Sequence, residues 1–324
     1  MAIYIKTIIE VRITMKNLKY IIKWMLGLLL ALKYIHGKDI YYLVYGHIGE
    51  AVYSLSMLPE IKKYRKIDKI HLIITEPFDQ IALLYHDQFT DMKLISIKLM
   101  YCLALYSKSH VKFHNNIIGG GWFWTDNKYQ AEVPETYIAG YCYNVMDLKI
   151  PYGAKHANIT TPVSMDDLAF QKFVKKNKIK KGKAVLLIPY ARSAAEMETE
   201  WWEKIAEHIK GKGYQVFTNV KDNTESVIKG TIPIWIPLRY VPGVIDYMGS
   251  CISIRCGLSD LIAVGGCEME VVYREKNKED EGLTGLWTWK LGKDKSLYTN
   301  KNVIKNETDF NVFLLKLSYK YSQI

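Results

Sequence analysis

Ile252-Ser253-Ile254-Arg255-Cys256-Gly257-Leu258-Ser259-Asp260-Leu261-Ile262-Ala263 is the stretch whose reading decides the fold. A short β-branched run ends in Arg-Cys-Gly, and an apolar-periodic segment begins after Leu258. This predicts a strand, a glycine turn and a helix with Ser259 or Asp260 near its first turn. Such a junction gathers backbone N–H groups and the positive end of a helix dipole into one small space. With Arg255 at the strand end, the natural guest is an anion, and a diphosphate fits best. Most strand-turn-helix junctions bind nothing, so this stretch alone leaves the binding and the purely structural readings level.

Working outward, the second half repeats the same alternation. Ala184–Ile188 reads as a strand, Pro189–Glu200 as a polar loop, and Glu200–Lys210 as a helix. Gln215–Asn219 is a strand, Glu225–Lys229 a weak helix, and Ile232–Ile236 a strand. Val244–Ser250 is a helix, Cys251–Arg255 a strand, Glu268–Tyr273 a further strand, and Asp309–Tyr321 a closing helix. In the first half, Asp39–Tyr45 is a strand, broken by Gly46-His47-Ile48-Gly49-Glu50. Val52, Leu55, Leu58 and Ile61 then recur at helical spacing, and Lys69–Thr75 completes a β-α-β unit. Phe78–Tyr85, Lys93–Tyr106 and Thr136–Asp147 read as helices, and Ile117–Thr125 as a glycine- and aromatic-rich loop. The Gly, Pro, Asn and Thr between Lys149 and Pro162 mark the domain boundary, and a short helix, Met165–Asn177, follows. The expectation is an α/β protein of two Rossmann-like, doubly wound domains facing a central cleft, residues 37–160 and 161–324.

Residues 1–36 form a separate basic, apolar segment. Ile3–Ile13 reads as a strand or a leader, and Met15 as an alternative start. Ile21–Ile35 is the most apolar run, yet its uncharged core, Trp24 to Leu32, falls short of the ~20 residues that span a bilayer. Lys16, Lys19, Lys23 and Lys33 flank it, with Trp24 and Tyr34 at its margins. This suits a helix lying on an anionic membrane surface; the competing reading is a helix packed on the protein's own core.

The 324 residues carry a formal charge of +11, mostly from scattered lysines in runs such as Lys62–Lys69 and Lys175–Lys183. No zinc-finger or RNA-reading motif accompanies them, so nucleic acid is not the expected partner. Five cysteines without CxxC spacing suggest buried thiols in a reducing, cytoplasmic compartment. The eight histidines show no metal-binding cluster, and no metal is expected.

The order of motifs resembles the GT-B glycosyltransferases, and within them the bacterial lipopolysaccharide heptosyltransferase family, over roughly residues 40–275. Three places carry the likeness. Gly49-Glu50, then Ser54-Leu55 and Leu58-Pro59, resembles the family's Gly-Asp followed by Thr-Leu-Pro. Ile188-Pro189-Tyr190-Ala191-Arg192-Ser193, with Trp202, Ile205 and Ile209 beyond it, is similar to the family's strand, phosphate loop and Trp-bearing helix. Arg255-Cys256-Gly257-Leu258-Ser259-Asp260-Leu261 stands against Asp-Thr-Gly-Leu-Ser-His-Leu, and this one is specific. Arg255 replaces an Asp that helps hold the donor sugar, and Asp260 replaces a His, so fold and reaction class carry over but heptose does not.

The resemblance implies an inverting, metal-independent transfer from a nucleotide-diphospho-sugar, which serves as co-substrate, to a glycan or lipid-linked acceptor. The protein would work in the cytoplasm, peripheral on the inner face of the plasma membrane. It implies Glu50 as the base, although Glu50 reads equally as a first-turn carboxylate on a helix dipole. Arg192 and Arg255 are the candidates for the leaving diphosphate, aided by Ser193, Ser259 and the amides of Gly257 to Asp260. Arg192 also reads as a solvated loop charge, and Arg255 as an ion-pair partner of Asp260. Asp260 reads as a sugar or ribose ligand or, more safely, as a helix cap. Trp235 and Leu238 stand where the fold meets a nucleotide base, or are core. His47, Gly49 and Trp122 are acceptor-side candidates, each with a plain structural reading beside it. Two other classes remain open: a nucleotide-sugar epimerase, which needs no acceptor, and a non-catalytic nucleotide-sugar binder.

Overall fold

The structure, a computed structural model, describes residues 2–36, 39–56, 58–109, 117–119, 167–191, 196–221, 225–275 and 300–322. The expected helix 136–147, the boundary 149–162, Trp122, Arg192 and Ser193 lie outside these residues.

In the first half, β1 (Ile40–Val44), β2 (Ile70–Ile74), β3 (Asp91–Leu94) and β4 (Ile117–Gly119) form one parallel sheet in the order β3-β2-β1-β4. In the second, β5 (Ala184–Ile188), β6 (Gln215–Asn219), β7 (Ile232–Ile234), β8 (Gly249–Ile254), β9 (Met269–Arg274) and β10 (Lys301–Ile304) form another, in the order β10-β9-β8-β5-β6-β7. Every pairing is parallel, for example Ile188 opposite Ser253 and Leu43 opposite Ile73. All five residues of β1 and of β5 are buried, as expected of parallel strands covered on both faces.

Helices cover both sheets. On the first, α1 (Ala2–Tyr34) and α5 (Ile97–Ser109) pack on Tyr41, Leu43 and Tyr45, while α2 (Ile48–Ser56), α3 (Leu58–Arg65) and α4 (Asp79–Ala82) take the other face. On the second, α7 (Thr199–Gly211) and α10 (Glu307–Ser322) bury Trp202, Ile205, Phe310 and Leu317 against Val185 and Leu187. The opposite face carries α6 (Leu168–Lys176), α8 (Val241–Met248) and α9 (Gly257–Val264). That face does not end at a domain boundary. Val44, Val52, Leu55, Ile81 and Leu84 of the first half join Val241, Leu261 and Ile262 of the second in one apolar core. The two halves are therefore packed together along part of their interface.

Several expectations are corrected. Ile3–Ile13 is not a strand but part of the 33-residue helix α1. Residues 1–36 are no separate segment: Trp24 meets Tyr106 edge-on at 5.5 Å, and a Cβ added at Gly27 would strike the Cys102 carbonyl of α5. The reading of a helix packed on the protein's own core holds for one side of α1, and the other side faces solvent. Lys93 and Leu94 close strand β3, and the helix expected from Lys93 starts at Ile97. Glu225–Lys229 is irregular rather than helical, with a turn only at Lys229-Gly230. The four described cysteines are unbridged.

Candidate active site

In each sheet the chain order reverses beside the first strand of that half. β1 lies between β2 and β4, and β5 lies between β6 and β8. Such a switch point opens a crevice at the carboxyl ends of the two flanking strands, where open α/β sheets take their ligands. Gly46–Gly49 leaves the carboxyl end of β1, and Gly46 has φ +105°, a left-handed turn that favours glycine. Arg255–Gly257 leaves the carboxyl end of β8, beside the Pro189-Tyr190 turn that leaves β5.

The two turns meet. Helices α2 and α9 start from them and pack on each other, with Gly257 of one against Gly49 and Ile48 of the other. A Cβ on Gly257 would stand 2.8 Å from the Gly49 nitrogen and 2.9 Å from Ile48 Cβ. A Cβ on Gly49 would collide with the Asp260 carboxylate. Two glycines thus allow backbone to approach backbone, and this brings the start of α2, with Glu50 in its first turn, beside the Arg255 turn. The Glu50 side chain lies outside the described residues, so its backbone position is what is fixed.

Arg255 is buried, and its Nη2 donates to Asp260 Oδ2 at 3.3 Å. Asp260, almost wholly buried, sets that carboxylate against Gly49 at the positive end of α2. Arg255 thus pairs with Asp260 within the second half, and the Asp260 carboxylate of that pair lies against Gly49 of the first half. Asp260 does not cap its own helix. Cys256 is the N-cap, and Ser259 Oγ accepts from the Cys256 N–H at 3.0 Å and donates to the Cys256 carbonyl at 2.6 Å. Ser259 stands at the third helical position, from which a side chain reaches back to the cap, and Asp260 is one place too late. The Ser259 hydroxyl expected to meet phosphate is engaged in this cap. Leu258 is half-buried against the core, and Leu238 is buried in it, so packing takes up both side chains. Trp235, by contrast, is 50% exposed just beyond β7, and His47 is exposed beside the β1 turn.

Two groups near the site carried no signal in the sequence. Tyr273, at the end of β9, lies close enough to Arg255 and Asp260 to feel both charges. Burial pushes its phenol well above the ordinary tyrosine range; Arg255 opposes that shift and Asp260 adds to it. Arg274, one residue on, forms a two-pronged pair with Glu198, Nε to Oε2 at 3.0 Å and Nη2 to Oε1 at 2.9 Å. Its Nη1 donates to the Ile304 and Lys305 carbonyls, and its guanidinium lies 4.9 Å from the Trp201 ring centroid. This fork fixes the downstream end of the loop that leaves β5. Its upstream end is held by Tyr190, whose hydroxyl donates to the Ser226 carbonyl. Among the described residues, no group of three or more His, Cys, Asp or Glu is placed to hold a metal ion.

Known proteins place this architecture. No family model matches the chain, and no curated protein matches it by sequence. Its fold is that of solved GT-B structures. The Escherichia coli ADP-heptose lipopolysaccharide heptosyltransferase II superposes with a TM-score of 0.58 at 10% identity, over 88% of this chain and 99% of the other. A family 9 glycosyl transferase from Veillonella parvula gives 0.55 at 11% identity, over 87% and 89%. The Escherichia coli heptosyltransferase WaaC with ADP gives 0.50 at 13%, over 88% and 100%.

Proposed function

We propose that this chain is a glycosyltransferase that moves a sugar from a nucleotide-diphospho-sugar to a glycan or lipid-linked acceptor, with inversion and without a bound metal. The observation that carries the reading is the meeting of two switch-point turns at Gly49 and Gly257, in a fold shared with enzymes of this class.

The chemistry needs a base on one side and charge neutralisation on the other. Glu50, at the start of α2, removes the proton from an acceptor hydroxyl. The oxygen forms its bond to the anomeric carbon as the bond from that carbon to the diphosphate oxygen breaks. The nucleoside diphosphate leaves with the bonding electrons. Its added charge is met by the first-turn amides of α9, by Arg255, and by Arg192 and Ser193 in the loop after β5. Because Asp260 already pairs with Arg255, the diphosphate competes with a carboxylate of the protein for that guanidinium. A buried Arg–Asp pair replaces the residues that the heptosyltransferase motif carries there, which points to a donor sugar other than heptose.

WaaC has been solved with ADP and with an ADP-sugar analogue, so adenosine-diphosphate sugars head the panel to test. Calorimetric titration with ADP-, UDP-, GDP- and CDP-sugars should show one base preferred. In the presence of acceptor, Glu50→Gln should lower turnover about 10²–10⁴-fold while donor affinity holds. Release of a changed sugar without any acceptor would replace the transferase by an epimerase. A second reading, donor binding without turnover, is favoured by the Asp260 carboxylate lying in the crevice; unchanged cellular glycan in Glu50→Gln would support it.

A further inference from the structure

Helix α1 has two unlike sides. Trp24, Leu28, Ala31 and Tyr34 turn toward Tyr41, Leu43 and α5. On the other side Leu18, Ile22, Met25, Leu26, Leu29 and Leu32 line one face, each three or four positions from another of the set and each 41–64% exposed. At 1.5 Å per residue this stripe runs about 21 Å along the helix. A surface helix of a globular protein places polar side chains there, and an apolar stripe of this extent marks a docking surface. Lys19, Lys23 and Lys33 are exposed along and within the stripe. The only acid in α1 is Glu10, more than two turns before it.

We propose that this face of α1 docks on an anionic lipid surface, with the leucine and methionine side chains in the acyl boundary and the lysines on headgroup phosphates. A second copy of the chain is the poorer occupant, because a two-fold contact would bring the two lysine rims together in a protein already at +11. Acidic headgroups complement the same rim. Among the described residues, no helix is long and apolar enough to cross a membrane, so the contact lies in the membrane plane. The platform is rigid. Gly27 allows α1 to sit directly on the α5 backbone, and Trp24 packs on Tyr106, so bound protein would be held in one orientation rather than on a tether. The proposal stands apart from the catalytic reading, since it uses no residue of the crevices.

The test is co-sedimentation of the full chain with vesicles, either pure phosphatidylcholine or phosphatidylcholine with phosphatidylglycerol. Binding to the anionic vesicles and little to the neutral ones is expected. Lys19→Gln/Lys23→Gln should weaken it about 30-fold, at the usual contribution per basic residue near such a surface. Met25→Ser/Leu29→Ser should weaken it by about tenfold or more. All four side chains are exposed, so thermal unfolding should match wild type in both variants. Absence of wild-type binding to anionic vesicles overturns the proposal, and so does binding that neither variant changes. Self-association lost in Met25→Ser/Leu29→Ser, without vesicle binding, would assign the face to a second copy and overturn it equally.

Discussion

Removing either member of the Arg255–Asp260 pair should destabilise the whole chain, not only a ligand site. The two side chains are 9% and 1% exposed, and they are joined at 3.3 Å. Arg255→Met leaves the Asp260 carboxylate in a place where water cannot solvate it. Breaking a buried pair in this way costs about 3–5 kcal/mol. The positive end of α2 lies beside Asp260 and offsets part of that, by about 0.3–1 kcal/mol, so the expected loss is near 3 kcal/mol. Asp260→Asn leaves the guanidinium buried without its counter-charge and should cost a similar amount. With both replaced, no buried charge is stranded, and the double variant should lose far less than the sum, with a coupling of about 2–3 kcal/mol. Urea unfolding of the four proteins, read at constant m-value, measures it. A coupling under about 0.5 kcal/mol would mean the two side chains are not paired in solution, and the account of Arg255 would fall.

The close approach of α2 and α9 predicts that Gly257→Ala, with its Cβ 2.8 Å from the Gly49 nitrogen, costs about 1–3 kcal/mol. Gly211→Ala, where nothing lies within 4 Å, should be neutral or gain up to ~1 kcal/mol; equal melting temperatures for the two variants would refute the argument. Gly27→Ala should likewise cost about 1–3 kcal/mol and loosen α1, seen as faster amide exchange in residues 20–34 and 97–109. Glu270 is buried, and burial alone would raise its carboxyl; Lys316, Asn302 and Lys320 outweigh that and hold it below the ordinary glutamate range. Its stabilisation is therefore complete above the unfolded pKa and lost as pH falls through the lower folded one. Glu270→Gln should cost about 1.5–3 kcal/mol at neutral pH and flatten the acid limb of the stability curve, whereas an unchanged acid limb would contradict the assignment.

The parallel strands were legible in the sequence because burial on both faces leaves an unbroken apolar signature, as in Ala184–Ile188 and Ile40–Val44. β3, mostly exposed at the edge of its sheet, has Asp and Lys in four residues and offers no such signature. β10 is equally short. The Arg255 turn was legible as strand, glycine and helix, since each is a local preference. The Arg255–Asp260 pair was one of the two readings of that turn; its place against the first half was not legible. Gly49 and Asp260 are brought together by tertiary packing, and no local pattern encodes a contact over that separation. Tyr273 gains its place near Arg255 because β8 and β9 are neighbours in the sheet, and Arg274 meets Glu198 across two strands and a loop. The apolar run of α1 was legible as a surface or a core helix; that it is core on one side and exposed on the other required the position of α5.

Where Gly257 rests on Gly49, the halves of the protein touch through bare main chain. Neither glycine has room for a side chain there, so the separation of the turn after β1 and the turn after β8 is set by two residues that present no functional group of their own.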